Sequence, residues 1–223
     1  MKLNMLCVEA TKEAKIPEGL LFRWKVHHVK EIFMSLLPKI EINGSSKIQI
    51  DFGPRGMEDE FDGVLGVTNI FIEDFDFEKF YLLSQKDQDI IILKKVEESL
   101  LQIYNRRGSD DSVVEIIKET ACSVLRLNFD LKVPIKKLFK TSRDRRYKIS
   151  IYRVLNAVVG EGWVCEITDN NTLLSREEWM NNTPDYLDRT DFFKKSELKN
   201  EVFVVFDWLG NAVFQLDLPH ETV

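Results

Sequence analysis

The sequence predicts an α+β fold, with antiparallel sheets and a central pair of antiparallel helices. Strand-like alternation of apolar and polar residues occurs near both ends of the chain, and two amphipathic helical patterns lie between them. The order strands, helices, strands is typical of an α+β fold and differs from the regular alternation of a doubly wound sheet. We therefore expect one domain over residues 1–223, with N-terminal strands in 1–72, a helical middle in 75–128 and a strand-rich part in 129–223.

Composition indicates a globular protein of the reducing cytoplasm. The 223 residues are 44% hydrophobic and 30% charged, and the three cysteines are far apart and odd in number, which does not suit a disulfide framework. No run approaches 18 apolar residues, so no membrane span is expected. The first residues, MKLNMLCVEA, resemble a strand and not a signal peptide. The net charge of −6 argues against nucleic acid as the main partner.

The N-terminal strands are predicted from periodicity. In KIQIDF, the apolar residues Ile48, Ile50 and Phe52 alternate with polar ones, and residues 64–72 are apolar on both faces, as in a central strand. Residues 20–37 fit either one helix ended by Pro38 or a strand followed by a helix.

Two helices are predicted in the middle of the chain. Ser84 and Asp87 form a variant of the capping box, and apolar residues then recur at helical spacing up to Ile103. Gly108 suits a left-handed helix end. A second helix begins near Asp110 and ends near Asn128, and the short link makes the two helices antiparallel neighbours.

The last third returns to strands. Residues 148–152 alternate, GWVCEIT follows a Gly-Glu-Gly turn, and two apolar runs around Leu209-Gly210-Asn211 predict a hairpin. Between them, SREEWM predicts a short helix with Ser175 as its cap and Glu178 at the third position.

The stretch FGPRGMEDEFDGVLG, residues 52–66, holds four of the ten glycines. Pro54, which lacks an N–H, and the acids that follow argue against a phosphate loop. Those acids also lack the alternate spacing of a calcium loop. The glycines therefore predict a connection between strands that uses positive φ angles.

No catalytic or metal-binding motif stands out, and no cofactor is expected. His27 and His28 are adjacent, so they point in different directions and are expected to be packed or surface residues. One pattern leaves an enzyme open: Asp185, Glu197 and Lys199 resemble the PD-(D/E)xK signature of metal-dependent nucleases. The predicted position of Glu197 and Lys199, just before a strand and not within one, argues against it.

Charge is concentrated in two segments. Residues 56–78 hold eight acids and no base, whereas residues 132–148 hold eight bases and one acid. The basic segment, which includes Phe139 and Tyr147, makes a nucleic-acid-binding module a second alternative. The acidic segment suits docking of a cationic protein, with phenylalanines as anchors. The residues predicted to bind this partner are Glu58, Asp59, Glu60, Asp62, Glu73, Asp74, Phe75 and Asp76.

The segment DFDFEKFYLLSQKDQDIIILKKVEESLLQI, residues 74–103, resembles part of a family of bacterial immunity-type proteins from toxin loci. The resembling features are FDFEKFYLLS leading into a helix and a later tail with hairpins such as VFVVFDWLGNAVFQL. The resemblance implies a non-catalytic protein that neutralises a co-encoded toxin by binding it, and it assigns no toxin-binding residue.

Overall fold

The computed structural model describes residues 1–108, 110–181 and 192–218, and the chain divides into two compact units. The first unit comprises Met1–Asp130 with Asn156–Val158, and the second comprises Leu131–Leu155 with Val159–Val223. The boundary falls at the end of the helical part of the chain.

The first unit combines four strands with five helices in its described residues. The strands are β1 (Met5–Ala10), β2 (Lys47–Phe52), β3 (Asp62–Val64) and β4 (Val67–Ile72). The helices are α1 (Phe22–Lys25), α2 (His27–Leu36), α3 (Phe77–Tyr81), α4 (Gln85–Asn105) and α5 (Asp111–Arg126). Helix and strand are both abundant, and each sheet contains antiparallel pairs, so the fold is α+β as predicted.

The sheet of the first unit is mixed and not purely antiparallel. Its order is β1-β2-β4-β3, with β1 parallel to β2 and β2 parallel to β4; only the short β3 runs antiparallel. The chain crosses over through α1 and α2 between β1 and β2, so the two strands run in the same direction. Their pairing begins with Met5 opposite Lys47. Alternation of residue type predicts a strand but does not reveal the direction of its neighbour, which is why the parallel pairs were not expected.

Residues 20–37 contain helices and no strand. Val29, Ile32 and Phe33 of α2 are fully buried at helical spacing, and Leu37 is extended because Pro38 follows it. Helix α2 contacts β1 as well as α4 and α5, which also contact each other. The helical layer is therefore a group of three, where the sequence suggested a central pair.

The cap of α4 is the one that the sequence predicts, but its end differs. Ser84 Oγ accepts a hydrogen bond from the backbone N–H of Asp87. Gly108 is not left-handed; it is needed because a Cβ atom there would lie 2.3 Å from the ring of Tyr104. Tyr104 Oη donates to the carbonyl of Asp110 and accepts from its N–H, which connects the end of α4 to the cap of α5.

The second unit is built from strands. Its larger sheet contains β5 (Leu131–Pro134), β6 (Lys140–Thr141), β7 (Tyr147–Asn156), β8 (Gly160–Asp169) and β9 (Ser175–Asn181), in the order β5-β7-β8-β9 with β6 also on β7. The smaller sheet is β10 (Lys195–Lys199), β11 (Val202–Phe206) and β12 (Ala212–Asp217), and the predicted hairpin is its β11–β12 pair. Trp163, Phe193 and Phe203 are fully buried in the core of this unit.

The helix predicted over SREEWM is wrong, because these residues form β9. Each residue from Ser175 to Trp179 is paired with β8, and the ring of Trp179 lies over Gly162, where a Cβ atom would come within 2.6 Å of it. Cross-strand pairing and this ring contact override the local capping pattern. Among the described residues, no helix has the length and apolar character needed to cross a bilayer.

Candidate functional site

An acidic cleft of about 600 Å³ lies on the partly exposed face of the first sheet. Along β1 and β2, buried residues such as Val8 and Ile50 alternate with residues such as Glu9 and Gln49 that remain partly exposed. The charged side chains that line the acidic cleft are Glu9, Glu13, Asp51, Glu58, Asp59 and Lys12. Five carboxyl groups and one ammonium group therefore line the acidic cleft, and one of the five, Glu9, is also paired with Arg23 at 3.1 Å.

Two glycines of the FGPRG stretch bring the loop after β2 against the loop after β1. Gly53 has φ +107°, and a Cβ atom there would lie 2.9 Å from both Thr11 Oγ1 and Ala14 Cβ. Gly56 has φ +60° and approaches the side chain of Glu13 in the same way. Gly63 and Gly66 also have positive φ, so the prediction that this stretch is a glycine-dependent connection is confirmed.

Hydrogen bonds hold the second wall of the acidic cleft in place. Asn69 of β4 accepts from the N–H of Phe61 at 2.6 Å and donates to the carbonyl of Asp59 at 2.9 Å. Arg55 Nε donates to the carbonyl of Glu58 at 2.7 Å, and its guanidinium lies over the ring of Phe71. These bonds fix the backbone on which the Glu58 and Asp59 side chains are carried.

Asp51 is the deepest charged group of the acidic cleft, with 2% of its surface exposed. Gln49 Nε2 donates to both of its carboxyl oxygens, at 2.9 and 3.1 Å. Burial raises the pKa of Asp51, and the charges of Glu58 and Glu9 raise it further, against the opposing effects of Gln49 and Lys47. A cation placed in the acidic cleft would relieve this unfavourable electrostatic environment.

Only two of the predicted partner-binding residues, Glu58 and Asp59, line the acidic cleft. Glu60 is within 3.1 Å of Arg55 and 3.7 Å of Arg106, and Asp62 is within 2.7 Å of Arg107. The charges of Glu60 and Asp62 are therefore largely compensated inside the first unit.

The remaining predicted residues follow β4, at the edge where β1 and β2 also end. Glu73 and Asp74 are exposed there, whereas Asp76 accepts from the N–H of Lys79 and caps α3. Phe75 packs in a cluster with Phe22, Phe52, Phe77 and Phe80, at ring-centroid distances of 4.8 to 5.8 Å. Phe75 therefore serves the core of the first unit, which removes it as an exposed anchor.

Sequence reasoning missed Glu9, Glu13 and Asp51. These residues come from two segments about 40 residues apart, and parallel pairing of Glu9 with Asp51 brings them together. A usable signal was present: a charged residue inside the strand KIQIDF marks the face that is not covered by the core.

His27 and His28 lie elsewhere in the first unit and are buried, being 7% and 1% exposed. His28 Nε2 is 3.1 Å from Asp89 Oδ1, and Asp89 also accepts from Gln85 at 2.7 Å. The expectation of packed histidines therefore holds. Across residues 1–108, 110–181 and 192–218, no group of three or more His, Cys, Asp or Glu side chains has an arrangement that would hold a metal ion.

For the nuclease alternative, Asp185 lies outside the described residues. Glu197 and Lys199 lie within β10, not just before a strand as the sequence suggested, so that objection is removed. However, Glu197 forms ion pairs with both Lys195 and Lys199, and these two lysines lower the pKa of Glu197 to about 2. In this arrangement the carboxylate of Glu197 is already neutralised by two ammonium groups.

The aromatic residues of the basic segment make contacts within the second unit. Tyr147 is 7% exposed, and Phe139 packs against Tyr152 with ring centroids 6.0 Å apart. Lys132, the first base of the segment, is paired with Glu166 and Glu177 at 3.3 and 2.6 Å.

Comparison with protein-family models, with curated proteins and with solved structures finds no match to this chain.

Proposed function

We propose that the protein is a non-enzymatic binding protein that holds a cationic segment of a partner protein in the acidic cleft. In its specific form, the proposal is an immunity or antitoxin-like inhibitor that neutralises a cognate cationic toxin. The observation that carries it is the buried Asp51, which has the carboxylates of Glu58 and Glu9 nearby and the neutral amide of Gln49 as its hydrogen-bond donor.

The dimensions and rim of the acidic cleft support this proposal. A volume of about 600 Å³ accommodates one or two lysine or arginine side chains of a docked segment. Met57 is fully exposed and Phe61 is 37% exposed beside the carboxylates, so apolar contacts accompany the charges. An apolar contact within a charged rim is the arrangement that gives both affinity and selectivity at protein interfaces.

The proposal is tested first by binding and neutralisation. The proteins encoded by the genes adjacent to this one would be produced singly, assayed for toxicity in a heterologous host, and tested for binding to the purified chain. We expect one cationic toxin whose effect is suppressed by co-production of this protein. If no neighbouring product is toxic and none binds, the specific inhibitor proposal fails.

The role of the acidic cleft is tested with charge reversal. The double variant E58K/D59K is expected to weaken the complex at least 30-fold, since truncating or reversing close interfacial charges costs about 2 to 5 kcal/mol. The matched control is E115K/E119K on α5, where both residues are exposed and the net charge changes equally. Equal weakening by the two double variants would show a general charge effect and would contradict docking in the acidic cleft.

A further inference from the structure

Two hairpin tips of the second unit are hydrogen-bonded to each other. They are residues 142–146, between β6 and β7, and residues 170–174, between β8 and β9. The N–H of Asn170 donates to the carbonyl of Arg146, and Asn170 Nδ2 donates to the carbonyl of Arg145, both at 2.7 Å. Arg146 also pairs with Asp169 at 3.2 Å. We refer to residues 142–146 and 170–174 together as the paired hairpin tips.

The paired hairpin tips present two adjacent leucines to solvent. Leu173 is 80% exposed and Leu174 is 72% exposed. Leu173 has φ +59°, a left-handed conformation that is unfavourable for a leucine and is normally taken by glycine or asparagine. A strained, solvent-exposed leucine contributes nothing to the core of its own unit. Strained backbone of this kind is found most often at functional sites such as ligand clamps.

The other of the two paired hairpin tips, together with the start of β7, carries cations. Arg143, Arg145 and Lys148 are exposed, and among the described residues none of the three has a carboxylate within ion-pair distance. Arg145 is also left-handed, with φ +63°. The acid between the arginines, Asp144, accepts hydrogen bonds from Ser142 and from the N–H of Arg146, so it is occupied within its own turn.

We propose that the paired hairpin tips are a docking surface for an anionic lipid bilayer. Leu173 and Leu174 insert among the acyl chains near the headgroups, and Arg143 and Arg145 bind lipid phosphates. Membrane-surface binding requires this combination of apolar side chains and neighbouring cations. A nucleic acid would use exposed aromatic rings, but the aromatic residue beside these arginines, Tyr147, is buried.

The test is sedimentation of the full-length protein with vesicles. Binding is expected to phosphatidylcholine vesicles that contain about 30% phosphatidylglycerol and not to pure phosphatidylcholine, and to weaken with salt. The variant L173G/L174S should reduce binding roughly 100-fold, because each inserted leucine contributes roughly tenfold. The variant R143S/R145G should reduce it roughly 25-fold, about fivefold per arginine.

Folding and location are controlled separately. Glycine fits the left-handed backbone at positions 173 and 145, so neither L173G nor R145G should lower the unfolding midpoint. The matched control is W208S/L209S, which removes another exposed apolar pair, 69% and 65% exposed, from the β11–β12 hairpin tip. It should leave binding unchanged.

Three results would overturn this inference. The first is no sedimentation with anionic vesicles at low salt. The second is equal loss of binding in W208S/L209S and L173G/L174S. The third is retention on oligonucleotides that depends on the arginines but not on the leucines, which would assign the surface to nucleic acid. None of these results bears on the acidic cleft, because that cleft lies in the other unit.

Discussion

The buried ion pair between Arg153 of β7 and Glu161 of β8 allows a quantitative prediction. The carboxylate of Glu161 is contacted by Arg153 Nε at 2.9 Å and by Arg153 Nη2 at 2.7 Å. It also accepts from the indole N–H of Trp163 at 3.2 Å. The side chain of Glu161 is only 2% exposed and that of Arg153 only 13% exposed, so water cannot replace a missing partner. Substitution of Glu161 by alanine leaves a buried guanidinium without this partner and removes the acceptor of the indole.

The expected loss in free energy of unfolding is about 3 to 5 kcal/mol, the range for breaking one partner of a buried pair. This is a large fraction of the roughly 5 to 15 kcal/mol by which domains are stable. The double variant R153M/E161L should be much less destabilised than the sum of its single variants, because it removes both charges and fills the space.

The assay is urea unfolding followed by tryptophan fluorescence at pH 7. Three of the four tryptophans lie in the second unit, and a W24F background would remove the signal of the first. The conservative variant E161Q keeps an acceptor for Trp163 and should lie between wild type and E161A. A loss below about 1 kcal/mol in E161A, or single-variant effects that add fully in the double variant, would refute the reasoning.

Three further predictions concern the first unit. Because the folded-state pKa of Asp51 is raised, its stabilising contribution is present below the unfolded pKa and is lost as pH rises through the folded pKa. The variant D51N should therefore increase the urea midpoint at pH 7, make that midpoint less dependent on pH, and weaken partner binding. A lower urea midpoint at pH 7 would contradict this prediction. G108A should cost about 1 to 3 kcal/mol in thermal unfolding, because its Cβ atom displaces the ring of Tyr104; an unchanged Tm would show that the ring moves freely. S84A should cost about 1 kcal/mol through loss of the α4 cap, measured by circular dichroism, and a neutral effect would show that the cap hydrogen bond is dispensable.

Local features of the fold could be predicted from the sequence because their causes are local. The cap at Ser84 depends on residues three positions apart, and the strand containing Ile48 and Ile50 depends on alternation within six residues. The β11–β12 hairpin likewise depends on one turn and its flanking apolar runs. Such signals do not require knowledge of which distant segment is the neighbour.

Features that depend on distant partners could not be predicted in the same way. β9 begins with a serine followed three residues later by a glutamate, which is also a helix-capping pattern, and its pairing with β8 decides between the two. The acidic cleft needs Glu9 beside Asp51, a contact set by parallel register and not by spacing. The acids from Glu58 to Asp62 were predicted as one group because they are close in sequence. In the structure, arginines at 55, 106 and 107 pair with Glu60 and Asp62, which leaves Glu58 and Asp59 for the acidic cleft.

The parallel pairing of β1 with β2 has a consequence during synthesis. Met5 meets Lys47, so the first strand is made 42 residues before its neighbour exists. At roughly 5 to 20 residues per second, the nascent strand waits about 2 to 8 seconds on the ribosome. Throughout that interval Leu6 and Val8, which are buried in the folded unit, have no sheet to enter.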